Sequence, residues 1–130
     1  MIVINLFIII LLLFANAFFV ASEFSLVSVR QTRIQQLANE GNKTAKLTIK
    51  ALDKIDRYIA ATQLGITIAS IGLGWVGEAT LAKLIHPLLD FLPYVTNNIA
   101  SHSIATILAF ILITFMHVVI GELMPKSIAL

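Results

Sequence analysis

Gly121-Glu122-Leu123-Met124-Pro125-Lys126 follows the long apolar run from Ile104 to Ile120, and places a carboxylate, a proline and a lysine at its end. A proline in a helix has no N–H to donate and crowds the carbonyl four residues earlier, here that of Gly121. With Glu122 next to it, this Pro125-directed bend offers two oxygen acceptors of the kind preferred by hard cations such as Mg²⁺ or Na⁺. Irregular backbone at membrane depth is tolerated only where protein or a watery cavity satisfies the freed groups. The sequence before the bend is therefore expected to house it.

Hydrophobic residues make up 58% of the 130 positions and charged residues 12%, and the mean hydropathy is +0.94. That balance places the chain in a bilayer. Cysteine is absent, which removes disulfides, thiolate nucleophiles and cysteine metal sites. The net charge of +2 is strongly localised: Arg30, Arg33, Lys43, Lys46, Lys50, Lys54 and Arg57 share one segment, leaving only Lys83 and Lys126 elsewhere. Between apolar runs, such a cluster marks a cytoplasmic loop rather than a nucleic-acid surface.

Read outward from the bend, the chain divides into three spans. Met1 to Val29 is long enough for the roughly 20 residues a spanning helix needs. Ala15-Asn16-Ala17 has the look of a signal-peptidase site, but no basic residue precedes the run and the sequence after it stays hydrophobic. Arg30 to Arg57 reads as a helical hairpin broken at Gly41, with Asn42 as the cap of its second half. In that half Ala45, Ile49, Leu52, Ile55 and Ile59 share one face, while Lys43, Lys46, Lys50, Lys54 and Arg57 share another. The basic face is suited to anionic head groups or to water.

Tyr58 to about Trp75 forms the second predicted span, with Ser70/Gly74 and Gly65/Ala69 as small-residue pairs for close helix approach. Glu78 to Asn98, punctuated by Pro87 and Pro93, reads as a short amphipathic helix and an outer loop. Ile99 to Ile120 is the third span. The expected topology is N-terminus outside and C-terminus cytoplasmic, in the plasma membrane. The chain stops at Leu130 as a fragment of a longer protein is expected to.

Polar residues form a stripe in each span: Asn16 and Glu23; Gln63, Thr67, Ser70 and Gly74; Thr114, His117 and Gly121. By helix rise from the basic boundary, Glu23, Gln63 and Glu122 lie roughly 6 to 9 Å deep, and Asn16, Ser70 and His117 roughly 13 to 20 Å. The stripes are thus expected to meet level by level as a seam that opens toward the cytoplasm. A carboxylate there needs a partner, a proton or a cation; Lys126 is a local partner for Glu122, and Arg30 or Arg33 for Glu23. His117 reads as a satisfied bundle histidine. No nucleophile triad, zinc motif, phosphate loop or dinucleotide fingerprint occurs, so an enzyme is not expected.

The stretches Phe14-Ala15-Asn16-Ala17-Phe18-Phe19-Val20-Ala21-Ser22-Glu23 and Ala61-Thr62-Gln63-Leu64-Gly65-Ile66-Thr67, together with the Gly121–Lys126 bend, resemble the transmembrane domain of the CorC/CNNM (hemolysin-like) family. The resemblance covers residues 1–130 and implies an all-α membrane protein: a dimer with three transmembrane helices per chain and a basic hairpin between the first two. It also implies Mg²⁺ efflux, with Na⁺ as candidate coupling ion, and cytoplasmic CBS and C-terminal domains downstream. A non-transporting anchor for such sensor domains is the alternative. The family's ligand pattern carries over to Gly121 and Glu122. Where many members have two serines four apart, Asn16 and Val20 stand, and the Gly-Asn of the second helix reads Gly65-Ile66. On this resemblance the metal-binding candidates are Gly121, Glu122 and Asn16, with Gln63, Thr67 and Ser22 as substitutes for the missing oxygens.

Overall fold

The computed structural model describes residues 1–89 and 98–130. Helix α1 (Ile2–Ser28) matches the first predicted span almost residue for residue. Next come α2 (Gln31–Asn39) and α3 (Lys43–Leu52) of the hairpin, then α4 (Ile55–Leu89) and α5 (Asn98–Met116). A π-helical segment, His117–Leu123, leads into the short α6 (Met124–Ala129). Among the described residues, three stretches are long and apolar enough to cross a membrane: Ile2–Ser28, Ile55–Leu89 and Ser101–Ala129.

The hairpin break is local chemistry. Gly41 has φ +94°, and the N–H groups of Gly41 and Asn42 return to the carbonyls of Ala38 and Leu37, which is a Schellman ending. Asn42 then accepts from the Ala45 N–H at 3.1 Å and starts α3. Ala45 and Ala51 are buried, whereas Lys43, Lys46, Lys50, Lys54 and Arg57 all remain exposed. The apolar face of α3 therefore packs on protein, with Ile49 and Leu52 meeting α2 beside Gln31 and Gln35.

Two boundaries differ from expectation. The second span does not stop near Trp75, because α4 runs unbroken for 35 residues, about 52 Å by helix rise and well beyond a hydrocarbon core of about 30 Å. Glu78 and Lys83 do not end it, since they lie on a helix surface. Pro87 sits in the last turn, two residues before α4 ends, so the one i→i−4 bond it cannot make lies at the end of the ladder. Of the outer loop, residues 90–97, with Pro93, lie outside the described residues. The second difference is at the bend. Leu123 and Met124 keep helical dihedrals, so the chain passes Gly121-Glu122 as a π turn and not as a break. Pro125 falls in the first turn of α6, where its missing N–H costs least.

α1 packs along α4 and against the π segment and α6, while α5 packs along α4. Ile9 and Leu13 of α1, Leu73 of α4 and Ile113 of α5 form the buried core. A Cβ built on Gly65 would lie 2.6 Å from the Phe19 ring, and one on Gly77 would lie 2.5 Å from Ile113. These glycines let the spans approach closely. Gly74 has nothing within 4 Å, so the Ser70/Gly74 pair is not the close contact the sequence implied.

Candidate cation site

Asn16, wholly buried, is the hinge of the polar seam. Its Nδ2 donates to the Gly121 carbonyl at 2.9 Å, and its Oδ1 accepts from the Ser70 hydroxyl at 3.3 Å. Ser70 Oγ also lies 3.1 Å from His117 Nε2. With its single proton directed to Asn16, the Ser70 oxygen bridges the amide of the first span and the imidazole of the third. All three spans are joined through this chain of polar groups at the deeper level that helix rise gave.

The Gly121 carbonyl thus has a protein partner in the Asn16 amide, where the sequence had left it open for a cation. A Cβ at Gly121 would stand 2.8 Å from Asn16 Nδ2, so only glycine lets the amide come this near. The wider π turn is a common feature of functional helices, and here it brings both Gly121 and Glu122 inward.

One helical turn closer to the basic side lies a cavity of about 450 Å³. α1 contributes Val20, Glu23 and Phe24 to its wall, and α4 contributes Gln63, Ile66 and Thr67. Glu122 of the π segment and Lys126 of α6 complete it. The second level of the seam therefore also assembles, with Glu23, Gln63 and Glu122 on one space. Val20 and Ile66, the two apolar replacements, line that same space.

Partners within the cavity differ from those the sequence suggested. Glu23 Oε2 lies 3.2 Å from the Thr62 hydroxyl, which is shared with the Ile59 carbonyl at 2.9 Å, and neither Arg30 nor Arg33 reaches it among the described residues; Arg33 instead donates to Gln36. Lys126 does not close on Glu122. Its Nζ sits 4.5 Å above the Phe24 ring centroid, a cation–π arrangement. Glu122 leans toward His117, with Oε1 to Nε2 at 3.7 Å, and keeps 46% of its side chain exposed. That distance is too long for a hydrogen bond, so the carboxylate is accessible. Thr67 donates to the Gln63 carbonyl at 2.8 Å with its oxygen lone pairs still in the cavity wall. Ser22 donates to the Phe18 carbonyl and does not line the cavity. Thr62 and Phe24 were missed in the sequence; both lie within one position of stripe residues, Gln63 and Glu23, but on an adjoining helix face.

Pro125, which is buried, lines a separate, almost purely apolar groove of about 430 Å³ between α1 and the third span. Its contribution to the site is by backbone alone.

Comparison with known proteins agrees with this architecture. The sequence model described as the cyclin M transmembrane N-terminal domain matches residues 7–130. The UPF0053 proteins YrkA and YhdP of Bacillus subtilis are 45% and 47% identical over 127 and 128 residues. Those matches cover 98% of this chain but only 29% and 28% of the relatives. An uncharacterised protein of Mycobacterium tuberculosis is 38% identical over 120 residues, covering 92% of this chain and 33% of its own length. The chain thus spans about a third or less of the relatives it matches.

Proposed function

Because this chain belongs to the cyclin M transmembrane family, and is a multi-pass membrane domain with three apolar spans, we propose that it carries a divalent cation, Mg²⁺, through a site at its cytoplasmic side. The observation that supports this most directly is the convergence of Glu23, Gln63, Thr67 and Glu122 on one cavity beside the Gly121 carbonyl.

The donors offered are all oxygens, which favours a hard cation. The only imidazole nearby, His117, is engaged by Ser70. Two carboxylates against one lysine leave the cavity electronegative. Six waters at about 30 Å³ each occupy roughly 180 Å³, so the space admits a hydrated ion. Mg²⁺ gives up water reluctantly, and with Val20 and Ile66 in the wall it retains several waters on binding. Glu122 is the charged ligand, Glu23 the second, Gln63 and Thr67 neutral ones. Asn16 and the Gly121 carbonyl join the shell only if their mutual hydrogen bond opens, which makes that bond a natural moving part between two exposures of the site.

On this reading the N-terminus lies outside and the C-terminus in the cytoplasm, with the exposed lysines of α3 toward anionic lipid head groups. A homodimer, Na⁺ as coupling ion and downstream CBS and C-terminal domains complete the proposal, and no catalytic chemistry is invoked.

Mg²⁺ should raise the thermal unfolding temperature of the purified chain, and Glu122→Gln should abolish most of the rise. Equal stabilisation of both removes Glu122 from the site. A second reading, a non-transporting anchor for sensor domains, draws on the apolar Val20 and Ile66 in the cavity wall. Mg²⁺ flux in proteoliposomes separates the two: flux that depends on Glu122 favours transport, and its absence favours the anchor.

A further inference from the structure

At the other end of the bundle, about 35 Å along α4 from Gln63 by helix rise, His86 in the last turns of α4 and His102 near the start of α5 face each other. Their ring centroids are 6.0 Å apart, and both line an open cavity of about 500 Å³ together with Glu78, Lys83 and Thr106. We propose that this histidine pair is a binding site for a borderline transition-metal ion, Zn²⁺ in particular, separate from the cation site at Glu122.

Geometry carries the assignment. Two imidazoles on one tetrahedral zinc, each at about 2.0–2.1 Å, place their ring centroids about 5 to 6 Å apart, so the observed spacing needs only small side-chain adjustment. Ser101, itself buried, has its Oγ 3.4 Å from His86 Nε2. A hydroxyl at that place orients the ring in the way outer-shell groups orient metal-ligating histidines.

Chemistry selects the ion. Glu78 and Lys83 offset one another in the cavity wall, so a hard cation held by charge gains little there. Imidazole suits zinc and copper better than magnesium. Among the described residues no cluster of three or more His, Cys, Asp or Glu side chains is placed to hold a metal. Within the described residues the pair is thus an open two-imidazole site, unlike a closed structural one. The bound ion would tie the end of α4 to the start of α5.

The test is calorimetric titration of Zn²⁺ into the whole chain, purified without a histidine tag, against His86→Gln, His102→Gln and His117→Gln. The expected result is one Zn²⁺ per chain, with Kd raised roughly tenfold or more by either of the first two substitutions, since outer-shell changes alone already cost about that much. His117→Gln should bind as the unaltered chain does. Failure to bind, or loss in only one of the His86 and His102 variants, overturns the proposal. Should a variant misfold, pulsed electron paramagnetic resonance of Cu²⁺ on the unaltered chain counts the coordinated imidazoles: two support the pair, and one or none overturns it. Neither result depends on Mg²⁺ binding at Glu122, so this site and the cation site fail separately.

Discussion

The side-chain amide of Asn16 and the backbone carbonyl of Gly121, 105 positions apart, meet at 2.9 Å in a fully buried contact. It fastens the first span to the π turn of the third, next to the Glu122 carboxylate of the candidate site. With Ser70 on its other end, Asn16 satisfies polar groups of both neighbouring spans, and among the described residues no buried side-chain polar atom is left without a partner.

Replacing Asn16 by alanine strands the Gly121 carbonyl and removes the acceptor of Ser70. Leaving a buried polar group unpaired costs about 1–3 kcal/mol, so the unfolding midpoint in detergent should fall by that equivalent. Ser70→Ala, which leaves the 2.9 Å bond intact, should cost less. Equal losses would mean that the Gly121 contact is not the dominant one.

Gly121→Ala and Gly74→Ala form a matched pair on two spans. The first pushes a methyl against the Asn16 amide and the His117 ring, while the second meets nothing within 4 Å. Overpacking costs about 1–3 kcal/mol, whereas alanine in place of glycine within a helix gains up to about 1 kcal/mol. Thermal unfolding should therefore show Gly121→Ala destabilised and Gly74→Ala neutral or stabilised. The former should also lose affinity for Mg²⁺.

Lys126 shares the cavity with both carboxylates but rests on Phe24. Lys126→Gln removes its positive charge from the electronegative space, so Mg²⁺ should bind several-fold more tightly, and more so at low ionic strength. Unchanged affinity in a titration across salt concentrations would place the ion away from Lys126.

Thr62→Val deletes the hydroxyl that contacts Glu23 while keeping the shape of the side chain. The freed carboxylate should alter Mg²⁺ affinity without changing the fold, as read from Mg²⁺ titration alongside circular dichroism. No change in affinity would assign Glu23 a purely structural part.

Gly41→Ala tests the hairpin. With φ +94° at this position, a Cβ costs about 1–2 kcal/mol. The loss should appear as faster amide exchange in residues 37–45 with the three spans unaffected.

Much of this molecule is set by short-range chemistry. Apolar length made α1 a span, positive φ at Gly41 and the Asn42 cap made the hairpin, and helix rise matched Asn16 with Ser70 and His117, and Glu23 with Gln63 and Glu122. Those features depend on periodicity and local hydrogen bonding, which one segment carries by itself. The continuity of α4 was not legible, because Glu78 and Lys83 read as the start of a separate amphipathic helix, and only packing against α5 shows one helix running through them.

The choice of partners also lay beyond the sequence. Whether Lys126 reaches Glu122 or Phe24, whether Glu23 meets an arginine or Thr62, and whether the Gly121 carbonyl stands open or holds Asn16 depend on side-chain positions from separate spans. A residue's chemistry states what it is able to bind. Only the rotation and approach of whole helices, set here by glycines that admit Phe19, Ile113 and Asn16, decides which candidate lies within about 3 Å.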